Sequence, residues 1–411
     1  MKKFLLLGII LFLFFVSPVA IADEAVYLAI QEVEPTFSEK VKTDLTTEDE
    51  TLKSENEEKY SEGENFIQEE IVTQKKAEKP LEAEVEYDIL YERTPILSEY
   101  TSMEFECGPI EKFNPFFAYQ GQFRFDFLNT KYNTKYLNPT SELALNGKFR
   151  NQPIYFTFIL NLMSEDGYNY FQTMFKDDFI TLKYIPHNDI VIGSFRTPIG
   201  VEGGTSGYTL PFIARSQIAR NFGSVRGLGA KVMGNYSLVE YNLGATSSDR
   251  MYTKFVPGAE FNGWVNFKPL GKTDGRYGVL KVGGGLNAGH RDFDYNVAGV
   301  FVSYKFRKIA LESEYAISNG SNGLAGLTKN KAQGVYTTLS YNITKKLQLL
   351  ARYDLFDANR ETSGNKSSEY TAGLNYFIKG SALKLILNYT FRHSEHEANS
   401  NRIMLGTQIM L

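Results

Sequence analysis

From Phe113 to Leu411 the chain repeats short stretches in which every second residue is apolar. Phe123, Phe125 and Phe127 alternate with Gln122, Arg124 and Asp126. Far downstream Leu383, Leu385, Leu387, Tyr389 and Phe391 alternate with Lys384, Ile386, Asn388, Thr390 and Arg392. A side-chain period of two belongs to strands with two unlike faces. One face requires apolar surroundings and the other requires water. Soluble sandwiches and membrane barrels both satisfy that pattern, so the deciding question is which solvent each face meets.

The amino terminus narrows the choice. Lys2 and Lys3 precede the apolar run Phe4 to Val16, and Ala20-Ile21-Ala22 follows before Asp23. This order predicts a secretory signal peptide, residues 1–22, cleaved after Ala22. The run is short for a helical span, and no later stretch has the length and apolarity of one. An exported chain of this kind crosses a membrane with strands if it crosses at all. The 26 Tyr, 31 Phe and 34 Gly suit that reading. A mean hydropathy of −0.28 suits a barrel half-lined with polar side chains. Cys107 is alone, so no intrachain disulfide forms, and its distance from the cleavage site excludes a lipid anchor there.

Charge divides the chain. Residues 23–110 hold 25 acids and 8 bases, a net of −17, whereas residues 111–411 hold 23 acids and 34 bases, a net of +11. The first part is rich in Glu, Lys, Ser and Thr and poor in apolar periodicity, so it is expected to be an acidic, mostly disordered periplasmic segment. Its end, from Leu81, is more apolar and suited to docking on the strand-rich domain. Tethering −17 beside +11 also suggests a segment able to plug its own pore.

Turn signals cut residues 111–411 into about 16 strands. They are Phe116–Leu128, Ser141–Arg150, Ile154–Ser164, Phe179–Ile185, Ile190–Thr197, Val225–Gly234, Ser237–Ser247 and Ala259–Phe267. The second eight are Gly278–His290, Tyr295–Arg307, Ile309–Ser318, Gly334–Ile343, Lys346–Phe356, Glu369–Ile378, Ala382–His393 and Arg402–Leu411. Tight connections such as Arg307-Lys308 and Thr344-Lys345 alternate with longer loops such as Glu165–Asp178, Pro198–Ser224, Asn319–Gln333 and Asp357–Ser368. A sandwich has no reason to alternate in this way. The fold class is all-β, a transmembrane antiparallel β-barrel preceded by the acidic segment. The last strand reaches the carboxyl end, with Leu411 where such barrels usually carry Phe.

Alternation also assigns an interior. Its bases are Arg124, Lys148, Arg150, Lys183, Arg196, Lys231, Lys268, Lys281, Lys305, Arg307, Arg352, Lys384, Arg392 and Arg402. Its acids are Asp126, Glu142, Glu240, Glu260, Glu312, Glu314 and Asp354. Fourteen bases against seven acids predict a positive lumen that concentrates anions. The longest loop, 198–224, is expected to fold inward. Gly203, Gly204 and Gly207 permit a reversal, and Phe212 and Ile213 offer apolar contacts with the wall. Its arginines, Arg215, Arg220 and the adjacent Arg226, have two readings. They form an anion filter at a constriction, or they pair with Glu202, Asp249 or Glu240 and only hold the loop.

Two other patterns carry less. Gly283 to Gly289 lacks the Gly-Lys-Ser/Thr ending of a phosphate loop and sits within a strand. His393-Ser394-Glu395-His396-Glu397 falls in an outer loop without a further ligand set.

The segment Ser194-Phe195-Arg196-Thr197-Pro198-Ile199-Gly200-Val201-Glu202 ends a strand. With Phe212-Ile213-Ala214-Arg215-Ser216 and Arg226-Gly227-Leu228-Gly229-Ala230-Lys231, it resembles the phosphate-selective porin O/P family. The final strand, with Arg402, Gly406 and Gln408, is similar too. Ala214 stands where that family often has Glu. The resemblance implies a trimeric 16-stranded outer-membrane barrel with an arginine-lined passage, and it carries over to Arg196, Arg215 and Arg226.

The expected function is passive diffusion of small hydrophilic solutes with a preference for anions. Arg196, Arg215, Arg220, Arg226, Arg124, Lys148, Lys183, Lys231, Lys281 and Arg352 are the pore-lining candidates. Outer-membrane lipid, small anionic solutes and two further copies of the chain are the expected partners. No catalytic residue, metal, cofactor or nucleic acid is expected. An envelope tether working through its acidic arm, and an outer-membrane enzyme, are the alternatives.

Overall fold

The computed structural model describes residues 103–105, 107–128, 131–163, 174–249 and 258–411. The expected signal peptide, and the acidic segment as far as residue 102, lie outside the described residues.

Sixteen antiparallel strands close on themselves. They are β1 (Ile110–Leu128), β2 (Lys131–Phe149), β3 (Ile154–Asn161), β4 (Phe175–Ile185), β5 (Asn188–Arg196), β6 (Arg226–Asn235), β7 (Val239–Ser247) and β8 (Ala259–Phe267). The circuit continues with β9 (Val279–His290), β10 (Asp294–Phe306), β11 (Ile309–Asn319), β12 (Gln333–Thr344), β13 (Leu347–Asp357), β14 (Lys366–Lys379), β15 (Leu383–Ser394) and β16 (Ser400–Met410). Each strand pairs with the next, and β16 pairs with β1 from Ser400↔Leu128 to Met410↔Ala118. Closure leaves no open edge within the circuit, which a bilayer demands of any sheet that crosses it.

Every expected strand is present, most with at least one different end. β2 begins at Lys131 rather than Ser141, because Tyr132 to Leu137 continues the ladder with β1. A register shift between Gln120 and Gln122 separates the two halves of that ladder. It inverts the parity of β2: Leu143 faces outward below the shift, while Tyr136 packs on outward Phe123 above it, at 5.0 Å between rings. β4 begins at Phe175 rather than Phe179, which brings Asp177 into the wall.

The two faces differ as the period requires. Ile192, Leu243, Val300, Leu311, Leu339, Leu349, Tyr370 and Tyr389 are exposed on the outside. Their inward neighbours are polar and covered: Thr338, Ser340, Asn342, Gln348, Thr371, Asn375, Asn388 and Gln408 are all buried. A short strand, Met103–Glu104, precedes the circuit and pairs with Phe113 and Lys112 of β1. Phe105 N–H donates to the Glu111 carbonyl at 3.0 Å, and the turn between carries exposed Cys107.

Candidate functional site: the loop that crosses the lumen

Residues 197–225 join β5 to β6 and turn into the barrel. The reversal is made at Gly200, whose φ of 66° lies in the left-handed region, rather than at Gly203, Gly204 or Gly207. Gly203 and Gly204 instead end a short helix, α1 (Val201–Gly204), and a second helix, α2 (Gln217–Phe222), follows. Ser216 caps α2, its hydroxyl accepting from Ala219 N–H at 3.2 Å. Gly203 faces Gly223 so closely that a Cβ on Gly223 would lie 2.9 Å from the Gly203 Cα. The two ends of the loop meet on paired glycines.

Three further glycines explain where the loop sits. Gly334, Gly373 and Gly406 project inward from β12, β14 and β16. A Cβ on Gly373 would lie 3.0 Å from the Phe212 ring, one on Gly406 2.8 Å from Ile213 Cδ1, and one on Gly334 2.9 Å from Ile218 Cγ1. The wall lacks side chains where the loop supplies them. Ile218 and Phe222 continue into an apolar cluster with Val297, Ala316, Tyr336 and Phe356. Tyr208, on the opposite side, packs against Phe116, Ala144 and Met410. The loop thus reaches from β1 and β2 across to β10–β13.

Polar groups complete the docking. Ile213 N–H donates to Asn388 Oδ1 at 2.9 Å, and Asn375 Nδ2 donates to the Pro211 carbonyl at 2.9 Å. Gln217 N–H donates to Asp354 at 2.7 Å. Lys384 Nζ donates to the carbonyls of Tyr208 and Leu210, both at 3.1 Å. Gln408 Nε2 donates to the Tyr208 carbonyl at 3.0 Å. Tyr208 donates its hydroxyl to Glu142, whose carboxylate also meets Lys176 at 2.8 Å. Burial, then Glu142, pushes the Tyr208 phenol up. Each such bond contributes about 1 kcal/mol net, but a buried carbonyl left without one costs more, so the set fixes one loop position.

The sequence-derived cations fall into three groups. The first holds structure. Arg352, buried, meets Glu202 at 3.2 Å and the Ala214 carbonyl at 3.0 Å, with its guanidinium 4.7 Å from the Phe212 ring centre. Arg215 donates to the carbonyls of Glu202 and Thr205, and burial lowers its guanidinium to about 10. Arg220 meets Glu369 at 2.7 Å. Here the loop-holding reading applies, with Glu202 and Glu369 as acids.

The second group pairs along the wall. Arg124 and Arg402 share Asp126 at 2.6 and 2.8 Å. Lys148 meets Glu111 at 2.7 Å, Lys183 meets Asp189 at 3.4 Å, and Lys281 meets Glu240 at 2.7 Å. Such pairing absorbs much of the charge excess counted from alternation. Glu111, Asp177, Asp189 and Glu369 lie outside that count.

The third group lies where β4, β5 and β6 meet the loop. Arg196 and Arg226 are directly paired residues of β5 and β6. Arg226 grips Asp177 with two bonds of 2.9 Å. Arg196 donates to Ser224 Oγ at 3.2 Å and makes no ion pair among the described residues. Arg226 and Arg215 repel it, while Asp177 and Glu142 attract it. Lys231 lies 4.5 Å over the Phe195 ring, beside the Arg196 carbonyl. Sequence reasoning missed Asp177. Extending the alternation of β4 by one step before Phe179 would have placed it inside.

The remaining motifs are structural. Gly283, Gly285 and Gly289 face inward within β9, beside Phe301, Trp264 and Tyr295. His393 meets Asn399 at 2.8 Å, and Glu397 meets Arg392 at 2.8 Å.

Comparison with known proteins places this geometry. Residues 280–411 match the family of phosphate-selective porins O and P. Of the segments that carry the sequence resemblance, the final strand lies within that span. There Arg402 binds Asp126, Gly406 seats Ile213, and Gln408 holds the loop. No curated protein matches the chain. Among solved structures, the anion-selective porin from Comamonas acidovorans is similar at 13% identity and a TM-score of 0.55, over 73% of this chain and 99% of that one. The outer membrane channel DcaP of Acinetobacter baumannii is similar at 12% identity and a TM-score of 0.51, over 76% and 100%. The trimer form of OmpT, an outer membrane protein of Vibrio cholerae, is similar at 13% identity and a TM-score of 0.50, over 73% and 99%. The match over residues 280–411, with the closed 16-stranded wall that they complete, marks the chain as an outer-membrane porin whose carboxyl-terminal third is similar to the phosphate-selective porins O and P.

Proposed function

We propose that this porin passes small hydrophilic solutes by diffusion and prefers anions, with phosphate-like oxyanions as the favoured class. One observation carries the reading. Arg196 stands inside the barrel beside Arg226 and Arg215, with a serine hydroxyl as its hydrogen-bond partner. A guanidinium in that position presents its fork to an oxyanion passing between the loop and the wall. Arg226 is already engaged with Asp177 and supplies field rather than a vacant fork. Lys231 extends the positive wall toward the short-turn end. The similarity to an anion-selective porin supports the same preference.

The resemblance to trimeric barrels, including the OmpT trimer form, supports a homotrimer. Planar-bilayer recording in a salt gradient tests the preference. An anion-selective reversal potential, reduced by phosphate competition and by Arg196→Gln, is expected. Cation selectivity in the unmodified protein would overturn it.

A further inference from the structure

The short-turn rim of the barrel is unequal around its circumference. On the arc of β1–β5, three lysines meet acids, Lys112 with Glu104 at 3.9 Å, Lys148 with Glu111 and Lys183 with Asp189, while Arg150 is held by the carbonyls of Phe105 and Gly108. On the arc of β8–β13, three successive turns on this rim carry Lys272, Arg276, Arg307, Lys308, Lys345 and Lys346. Asp274 is the sole acid in those turns. Strands lie about 4.8 Å apart, so turns on alternate strand gaps follow one another at roughly 10 Å. The turns are also joined. Asn342 N–H donates to the Lys308 carbonyl at 2.8 Å, and Lys308 Nζ reaches the Ile343 carbonyl at 3.5 Å.

A second, independent feature marks the same arc. Its arginines lie on aromatic rings at the level where the apolar belt ends. Arg276 sits 5.6 Å from the Tyr277 ring centre, and Arg307 sits 5.0 Å from that of Phe306. Phe306 stacks on Tyr304 at 12° between planes, and the Tyr304 hydroxyl donates to the Tyr277 carbonyl at 2.9 Å. Exposed Phe267, Ile309 and Tyr341 continue the apolar surface. Aromatic rings beneath guanidinium groups are suited to the boundary between acyl chains and headgroups.

We propose that this arc is a binding site for anionic phospholipid of the periplasmic leaflet. The phosphates lie among the six cations, and the chains lie on the ring cluster below them. The charge is concentrated on one arc and coupled to an apolar shelf. A soluble acidic polypeptide would use the charge but not the shelf, so lipid is the occupant favoured here.

Native mass spectrometry of the full-length protein, with cardiolipin as the probe and phosphatidylethanolamine as the control, tests the site. The unmodified protein should retain cardiolipin at least five-fold over the control. Combined Arg276→Gln, Lys308→Gln and Lys345→Gln should bring that ratio to about one, leaving heat-modifiable folding and single-channel conductance unchanged. As a second arm, Lys112→Gln with Lys148→Gln on the opposite arc should leave the ratio intact. Retention unaffected by the first set, or equally affected by both, would overturn the proposal. So would loss of poly-glutamate binding with cardiolipin retention preserved, which would assign the arc to a polypeptide.

Discussion

Where the long loop meets β11–β16, the lumen is occupied. Wall glycines receive Phe212, Ile213 and Ile218, and wall amides hold the loop backbone. Where β4, β5 and β6 face the same lumen, the wall offers Arg196, Arg226 and Lys231 instead. One side is built by volume and hydrogen-bond satisfaction, the other by charge. The contrast separates two tasks that composition alone merges. Fit determines where the passage cannot run, and on the proposed reading charge selects among the solutes that use what is left.

The largest expected effect comes from dismantling the fit. Phe222→Ala removes a buried ring shared with Phe356 and should cost about 3–5 kcal/mol of local stability. Limited proteolysis should then cut within 197–225, and single-channel conductance should rise. Unchanged conductance would show that the loop does not narrow the pore.

A subtler disruption adds atoms. Gly373→Val places methyl groups where the Phe212 ring lies and should cost about 1–3 kcal/mol. The same proteolytic exposure should follow, whereas Gly284→Val, on the outward face of β9, should leave the loop protected. Equal protection in both variants would break the link between wall glycines and loop position.

Charge changes sharpen the other side of the comparison. Arg196→Gln should lower the anion-to-cation permeability ratio at least two-fold with little loss of stability, since the residue has no carboxylate to leave behind. Arg220→Gln should alter the ratio less, because Glu369 already holds that guanidinium. A reversed ranking in reversal-potential measurements would move the filter from the wall to the loop. The smallest effect is expected at the exposed pair Lys331–Glu361, where Glu361→Gln should cost at most about 1 kcal/mol by thermal unfolding in detergent.

The wall is legible in the sequence because a period of two and a turn residue are local signals. Ala259–Phe267 has both ends correct from the pattern alone, and Ile309–Ser318 falls short by one residue. Lys131 to Thr140 is not legible, since Asn133, Thr134 and Asn138 resemble a turn. Its strand character comes from pairing with β1 across the register shift. The inward loop can be anticipated from its length and from Phe212 and Ile213. Its partners cannot, because Gly373, Gly406 and Asn388 stand more than 150 residues away. The arginines divide for the same reason. Whether a guanidinium is vacant depends on a carboxylate brought near by the fold, as Asp177 is to Arg226 and Glu202 is to Arg352.

The short strand at Met103–Glu104 has a consequence for assembly. β1 begins eight residues before Ala118, where its ladder with the last strand stops, so its lower backbone would present bare donors and acceptors at the seam. Residues 103–105 pair with Glu111 to Phe113 of that stretch, Phe117 exchanges two backbone bonds with Leu411, and Arg150 ties the connecting turn down through the carbonyls of Phe105 and Gly108. A bare stretch there would invite a strand from a neighbouring chain. The stub before the barrel therefore pairs backbone groups at the seam that the last strand does not reach.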